Sequence, residues 1–200
     1  MRKYILFIFL VFLTIKAFSQ TESVTSKFYF PGMVGINLNL NDKHQHYKRG
    51  FVLNTAIEYR PDNNPVFFRF NYDGISSNYQ SDGGPYQQTN VQTGTLHVNY
   101  FIAGAGYRKK VKGIGWYVLA QTGLEQRNYD RVAGNASGYV IQKVSKSQLG
   151  LKFAGGFEYY LAQHFALVAE PAYYPNITNH RYSSSSGNLT FSIGFTTTLF

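Results

Sequence analysis

From Phe28 to the carboxy terminus, large apolar side chains recur at every second position in one segment after another. A repeat of two is that of a β-strand with unlike faces, and no long stretch has the 3.6-residue repeat of a helix. In the last segment, Asn188 to Phe200, Leu189, Phe191, Ile193, Phe195 and Leu199 alternate with Thr190, Ser192, Gly194, Thr196 and Thr198. Earlier, Phe51, Leu53, Ile57 and Tyr59 oppose Asn54, Ala56, Glu58 and Arg60, while Val66, Phe68, Phe70 and Tyr72 oppose Arg69, Asn71 and Asp73. Leu96, Val98, Tyr100 and Ile102 oppose His97 and Asn99, which assigns those four to the apolar face. Trp116, Val118, Ala120 and Leu124 oppose Tyr117, Gln121, Gly123 and Glu125. Leu149, Leu151, Phe153, Phe157 and Tyr159 oppose Gln148, Lys152, Ala154, Gly156 and Glu158. Phe165, Leu167, Ala169 and Tyr173 oppose Glu170 and Ala172. A weaker segment, Phe28 to Asn39, is interrupted by Pro31, and Phe67, Phe101 and Leu119 fall on the polar side of theirs. Eight strands of about 9 to 13 residues are expected.

The connections alternate in length. Asn41 to Gly50, Ser76 to Val91, Arg127 to Ser147 and Asn176 to Gly187 are long; Pro61 to Pro65, Arg108 to Gly113 and Leu161 to His164 are short. Strict alternation puts all long loops at one end of an antiparallel up-and-down meander and both chain ends at the other.

Alternation alone does not say which face meets the solvent. A soluble barrel hides its large apolar groups, whereas a transmembrane barrel turns them to lipid. The segments are long enough to span, since about 9 to 11 tilted residues suffice. Tyr59, Tyr107, Trp116, Tyr159 and Tyr173 recur near segment ends, as an interfacial girdle requires. Arg69, Lys152 and Glu170 lie well inside their segments, where hydrocarbon contact would cost several kcal/mol. Together with Glu58, Asp73, Glu125 and Glu158, nearer the ends, they are expected to form an interior charge network. Eight strands leave an interior that side chains fill, so no wide aqueous channel is expected.

The pattern resembles the small eight-stranded outer-membrane β-barrels of Gram-negative bacteria, of OmpA or OmpX type, over essentially all of the chain after its leader. The resemblance implies an all-β, eight-stranded antiparallel up-and-down transmembrane β-barrel. It also implies an assembly signal in the terminal strand, carried here by Phe195, Leu199 and Phe200 and read by the barrel-assembly machinery. Leu199, rather than Phe200, keeps the phase of Phe191, Ile193 and Phe195, a one-residue departure from the usual pattern. The expected partners are outer-membrane lipids and lipopolysaccharide, with no nucleic acid, no cofactor and a monomeric state. The role implied is structural, adhesion-type or narrowly porin-like, with the long loops carrying any recognition.

Composition narrows the alternatives. The 200 residues suit one domain, and the absence of cysteine excludes disulfides, thiolate metal sites and thiol catalysis. An outer-leaflet lipid-modifying enzyme would need a rim site drawn from His44, His46, Ser81 and Asp82, but the His-x-Ser element of such enzymes is missing. His44 and His46 have metal-ligand spacing, opposed by Lys43, Lys48 and Arg49 beside them. A soluble calycin-like binder would need the apolar face turned inward. Arg108, Lys109, Lys110 and Lys112 form a basic cluster at a turn on the expected periplasmic side.

Residues Met1 to Gln20 begin with Arg2 and Lys3, continue through the apolar run Tyr4 to Ile15 and end Ala17-Phe18-Ser19-Gln20. That is the pattern of a cleavable export signal over 1–19, ahead of a barrel over 20–200, and the apolar run is too short to span as a helix. Arg2, Lys3 and Lys16 belong to this leader, so part of the net charge of +9 is lost with it. Mass spectrometry of protein from an envelope fraction is expected to find Gln20 at the amino terminus; retention of Met1 would contradict the leader reading.

Overall fold

Backbone N–H and C=O groups at a sheet edge need partners, and hydrocarbon supplies none, so a spanning sheet must close on itself. The computed structural model describes residues 27–39, 45–62, 64–81, 93–135, 138–177 and 187–198. Its strands are β1 (Phe28–Asn39), β2 (Gln45–Tyr47), β3 (Gly50–Tyr59), β4 (Val66–Ser81), β5 (Thr93–Val111), β6 (Ile114–Asn135), β7 (Gly138–Ala162), β8 (Phe165–Tyr174) and β9 (Asn188–Thr198). The eight long strands pair antiparallel in chain order, and β1 pairs with β9 from Tyr29 opposite Thr198 to Asn39 opposite Asn188, which closes the ring. The short β2 lies in the first long connection and extends the sheet against Tyr79 to Ser81 of β4.

The two-residue turn between β5 and β6 is Lys112-Gly113, both with positive φ (54° and 141°), as tight hairpins demand. At the same end the Thr198 amide donates to the His164 carbonyl at 3.2 Å and the Arg60 amide to that of Lys27 at 2.8 Å. Both described ends of the chain therefore lie at the short-turn end.

The face assignment holds for β3, β4 and β6 to β9. Phe157, Leu149 and Ile193 are 65%, 59% and 57% exposed, while Glu58, Asp73 and Lys152 are fully buried. Such a continuous apolar exterior has no place in water and suits hydrocarbon. It also removes the calycin-like alternative, which needs the opposite orientation. Phe67 and Leu119 point inward, as their phase requires.

Two expectations are corrected. In β5, Val98, Tyr100 and Ile102 face the lumen and Phe101 faces outward. Residues opposite one another in antiparallel strands share a face, and Phe101 lies opposite Tyr72 and Leu124, Tyr100 opposite Asp73 and Glu125. Both faces of this segment are apolar, so the neighbouring register decides its phase. The interval Arg127 to Ser147 is not a long loop: β6 and β7 stay paired from Ile114 opposite Tyr159 to Asn135 opposite Gly138. Hence β6 and β7 reach 22 and 25 residues, well beyond the length needed to span. The strand expected at Phe28 to Asn39 is present with those bounds, and Pro31 interrupts its pairing without ending it. The proline falls where the ladder to β3 skips from Tyr29 to Gly32 without a change of register, because proline has no N–H to give.

Inside, Val52, Ile75, Val98, Tyr100 and Ile102 join Phe67 and Tyr117 in one apolar cluster, so the lumen is only partly polar. The Tyr117 ring lies where a Cβ on Gly156 would stand, 2.1 Å from that position, and Phe67 occupies the matching place at Gly106. Gly156→Ala is therefore expected to displace Tyr117 and cost about 1–3 kcal/mol. Gly155→Ala, with only the Tyr117 carbonyl near at 3.7 Å, should be close to neutral. Urea unfolding in detergent, followed by Trp116 fluorescence, compares the two.

Candidate functional site: a charge ladder across the lumen

Alternation along β3, β4, β7 and β8 sends carboxylates and cations into the same closed interior, where each needs a partner. Arg69 of β4 is the central clamp. Its Nη2 lies 2.6 Å from Glu58 Oε2 and its Nη1 2.7 Å from Glu170 Oε2, joining β3 to β8 across the lumen. Lys152 of β7 continues the series, 2.9 Å from Glu170 Oε1 and 3.0 Å from Asp73 Oδ2. Towards the short turns, Arg60 bonds Glu58 and lies 2.7 Å from Glu158, which Arg108 also holds at 2.8 Å.

The result is one alternating sequence, Arg108, Glu158, Arg60, Glu58, Arg69, Glu170, Lys152, Asp73, with four charges of each sign. Neutral groups satisfy the remaining valences. Tyr174 donates to Asp73 at 2.8 Å and Tyr117 donates to Glu170. Asn71 links Asn54 at 2.9 Å with Asp73 at 3.1 Å, and Gln121 donates to Asn71 at 2.9 Å. Each ladder carboxylate is therefore met by two or more donors, the condition under which buried charge is tolerated. The Arg60 guanidinium also lies over the Tyr29 ring at 3.6 Å.

Of the interior residues expected from sequence, the structure brings together Glu58, Arg69, Asp73, Lys152, Glu158 and Glu170. Glu125 is buried too, but its ion pair is with Arg127 on its own strand, apart from the ladder. Sequence reading missed Arg60 and Arg108 as members. Arg60 shares the parity of Glu58, and Arg108 shares that of Tyr100 and Ile102 once β5 has its true phase. Phe195 faces outward, 48% exposed; Leu199 and Phe200 lie outside the described residues. So do His44 and Asp82, while the backbones of His46 and Ser81 lie on the paired strands β2 and β4.

The closed ring, the apolar exterior and the filled, charge-balanced interior define a membrane-spanning β-barrel. Residues 5–196 match the profile of the outer membrane protein beta-barrel domain, and the chain belongs to that family. Neisserial surface protein A is similar in fold, with a TM-score of 0.53 at 16% identity over 87% of this chain and 98% of that one. The N-terminal barrel of Pseudomonas aeruginosa OprF has 13% identity over 87% and 98% of the chains and a TM-score of 0.46. For Ail, the attachment invasion locus protein of Yersinia pestis, the figures are 14%, 86%, 99% and 0.41. No curated protein matches the sequence.

Removing the central clamp leaves Glu58 with Arg60 alone and Glu170 with Lys152 alone as ion-pair partners, and the ladder with one buried negative charge in excess. Arg69→Leu is expected to lower stability by about 3–5 kcal/mol. Arg69→Leu combined with Glu170→Leu leaves three charges of each sign and should cost less than the sum of the two single changes. Urea midpoints of the three variants in detergent measure the difference.

Proposed function

We propose that this chain is a non-enzymatic, monomeric barrel of a Gram-negative outer membrane, exported through its cleavable leader. In this reading it is an anchor whose lumen does not conduct and whose projecting sheet provides a surface for adhesion-type recognition. The observation that carries the proposal is the ladder from Arg108 to Asp73, whose side chains cross the lumen from wall to wall. A conducting path would need these pairs to part, each at the cost of an uncompensated buried charge. The ladder carboxylates are all engaged in ion pairs, which leaves none of them poised as a general base. The barrel-assembly machinery is the partner proposed for Phe195, Leu199 and Phe200, and outer-membrane lipids and lipopolysaccharide for the exterior.

The sheet beyond the apolar belt supports the recognition role. Pairing of β5 with β6 begins at His97 opposite Asn128, so β6 and β7 project further as a hairpin. Pairing of β7 with β8 begins only at Phe153. From Gln126 to Asn135 the strand extends about 30 Å at about 3.3 Å per residue. Even tilted, that clears a headgroup layer roughly 5–8 Å deep. Exposed Lys143 and Lys146 on β7 guard the open edge against pairing with other chains.

Protein whose unboiled band migrates apart from its boiled band should give no discrete conductance steps in planar bilayers under applied voltage. Steps that change when Lys152 is neutralised would replace the anchor reading with a pore.

A further inference from the structure

Among the described residues, the lipid-facing positions of the belt, from the short turns up to Asn99 and Gln126, carry one charged side chain, Lys109. Its neighbours on the same face of β5 are Tyr107 and Val111, and Trp116 lies opposite it on β6. Tyr107 and Trp116 pack ring to ring at 5.9 Å, and Val111 and Ile114, opposite each other at the hairpin tip, are 53% and 57% exposed. A cation surrounded by lipid-facing apolar groups is costly unless its stem snorkels to the polar interface, where an anion would hold it best.

The described residues supply no such anion. Glu158 is held by Arg60 and Arg108, and Asp62 by Lys27 at 2.8 Å. No carboxylate lies within ion-pair distance of Lys109 or Lys112 among the described residues. Lys110, beside them, rests over the Tyr160 ring at 3.7 Å, and Lys112 is exposed in the turn. Three lysines thus flank an apolar hairpin tip at the height of an aromatic girdle, where lipid phosphates lie.

The geometry points to the β5–β6 turn as a binding site for anionic phospholipid headgroups of the leaflet at the short-turn end, with Lys109, Lys110 and Lys112 as the phosphate contacts. The inference deepens the membrane-barrel reading and rests on it. Each lysine near such a surface contributes about 1 kcal/mol, so an enrichment of about five-fold or more over a zwitterionic lipid is expected beside the turn.

Trp116 is the single tryptophan and stands at the site. The protein is refolded into vesicles of equal parts phosphatidylglycerol and phosphatidylcholine, with one or the other brominated in its acyl chains, and Trp116 quenching is compared. Brominated phosphatidylglycerol should quench more, and the preference should fall in 1 M salt and vanish in Lys109→Gln/Lys110→Gln/Lys112→Gln. If the triple variant lacks the heat-shifted band of the folded barrel, Lys109→Gln alone should still lower the ratio. Equal quenching by the two lipids, or a preference unchanged by the substitutions, overturns the site and leaves an acidic periplasmic protein as the partner for this rim. Quenching by neither lipid would overturn the spanning reading itself.

Discussion

A charge inside a closed, filled β-barrel is cut off from water, so it must meet an opposite charge, and most of the pairs here join different strands. Arg69 meets that requirement by joining Glu58, opposite it on the neighbouring β3, to Glu170 on β8 across the lumen. Five of the ten acidic residues in the sequence, Glu58, Asp73, Glu125, Glu158 and Glu170, are buried in this interior. Register follows from this as much as from the apolar exterior. A slip of one residue in β4 would send Arg69 and Asp73 to lipid and, in the same move, take Arg69 from Glu58 and Glu170 and Asp73 from Lys152.

Much of the fold was legible because two independent patterns agreed: period-two apolar faces and the taking of turns by long and short connections. The phase of β5 was not, since Leu96, Val98, Tyr100 and Ile102 compete with Phe101 and Tyr107 for the exterior and only the register against β4 and β6 settles the contest. The reach of β6 and β7 was hidden as well, because the apolar groups of Arg127 to Ser147, such as Tyr129, Val132, Ile141 and Val144, are scattered over both faces and the segment reads like a loop. Outside the membrane a two-stranded ladder needs no greasy face, so the signal used everywhere else was absent there. For the interior, parity identified six ladder members from the sequence, but pairing is a three-dimensional matter. Arg60 was legible as a partner only through its parity, and Arg108 was obscured by its basic neighbours Lys109 and Lys110.

The division of labour along the barrel axis is consistent with an anchor. Ion pairs dominate the lumen towards the short turns and across its middle, whereas Tyr100, Val98, Ile75 and Val52 fill it near the projecting sheet. Ion pairs give specific geometry, and the apolar plug excludes water, which raises the penalty for separating the charges beneath it. Outside the barrel, the hairpin of β6 and β7 is released from these constraints, so its sequence is free to vary with whatever it meets.

The two prolines within strands divide the wall unequally. Pro31 interrupts the hydrogen-bond ladder between β1 and β3, and Pro171 lies where the ladder between β7 and β8 skips from Ala154 to Phe157, with a bulge between Tyr160 and Ala162 further along the same boundary. Between those boundaries, β8, β9 and β1 pair without a gap. The barrel is thus a five-stranded sheet and a three-stranded panel joined along two weakened seams, and the panel holds both described chain ends. Lateral parting of the wall would begin along these seams, where the ladder already lacks pairings.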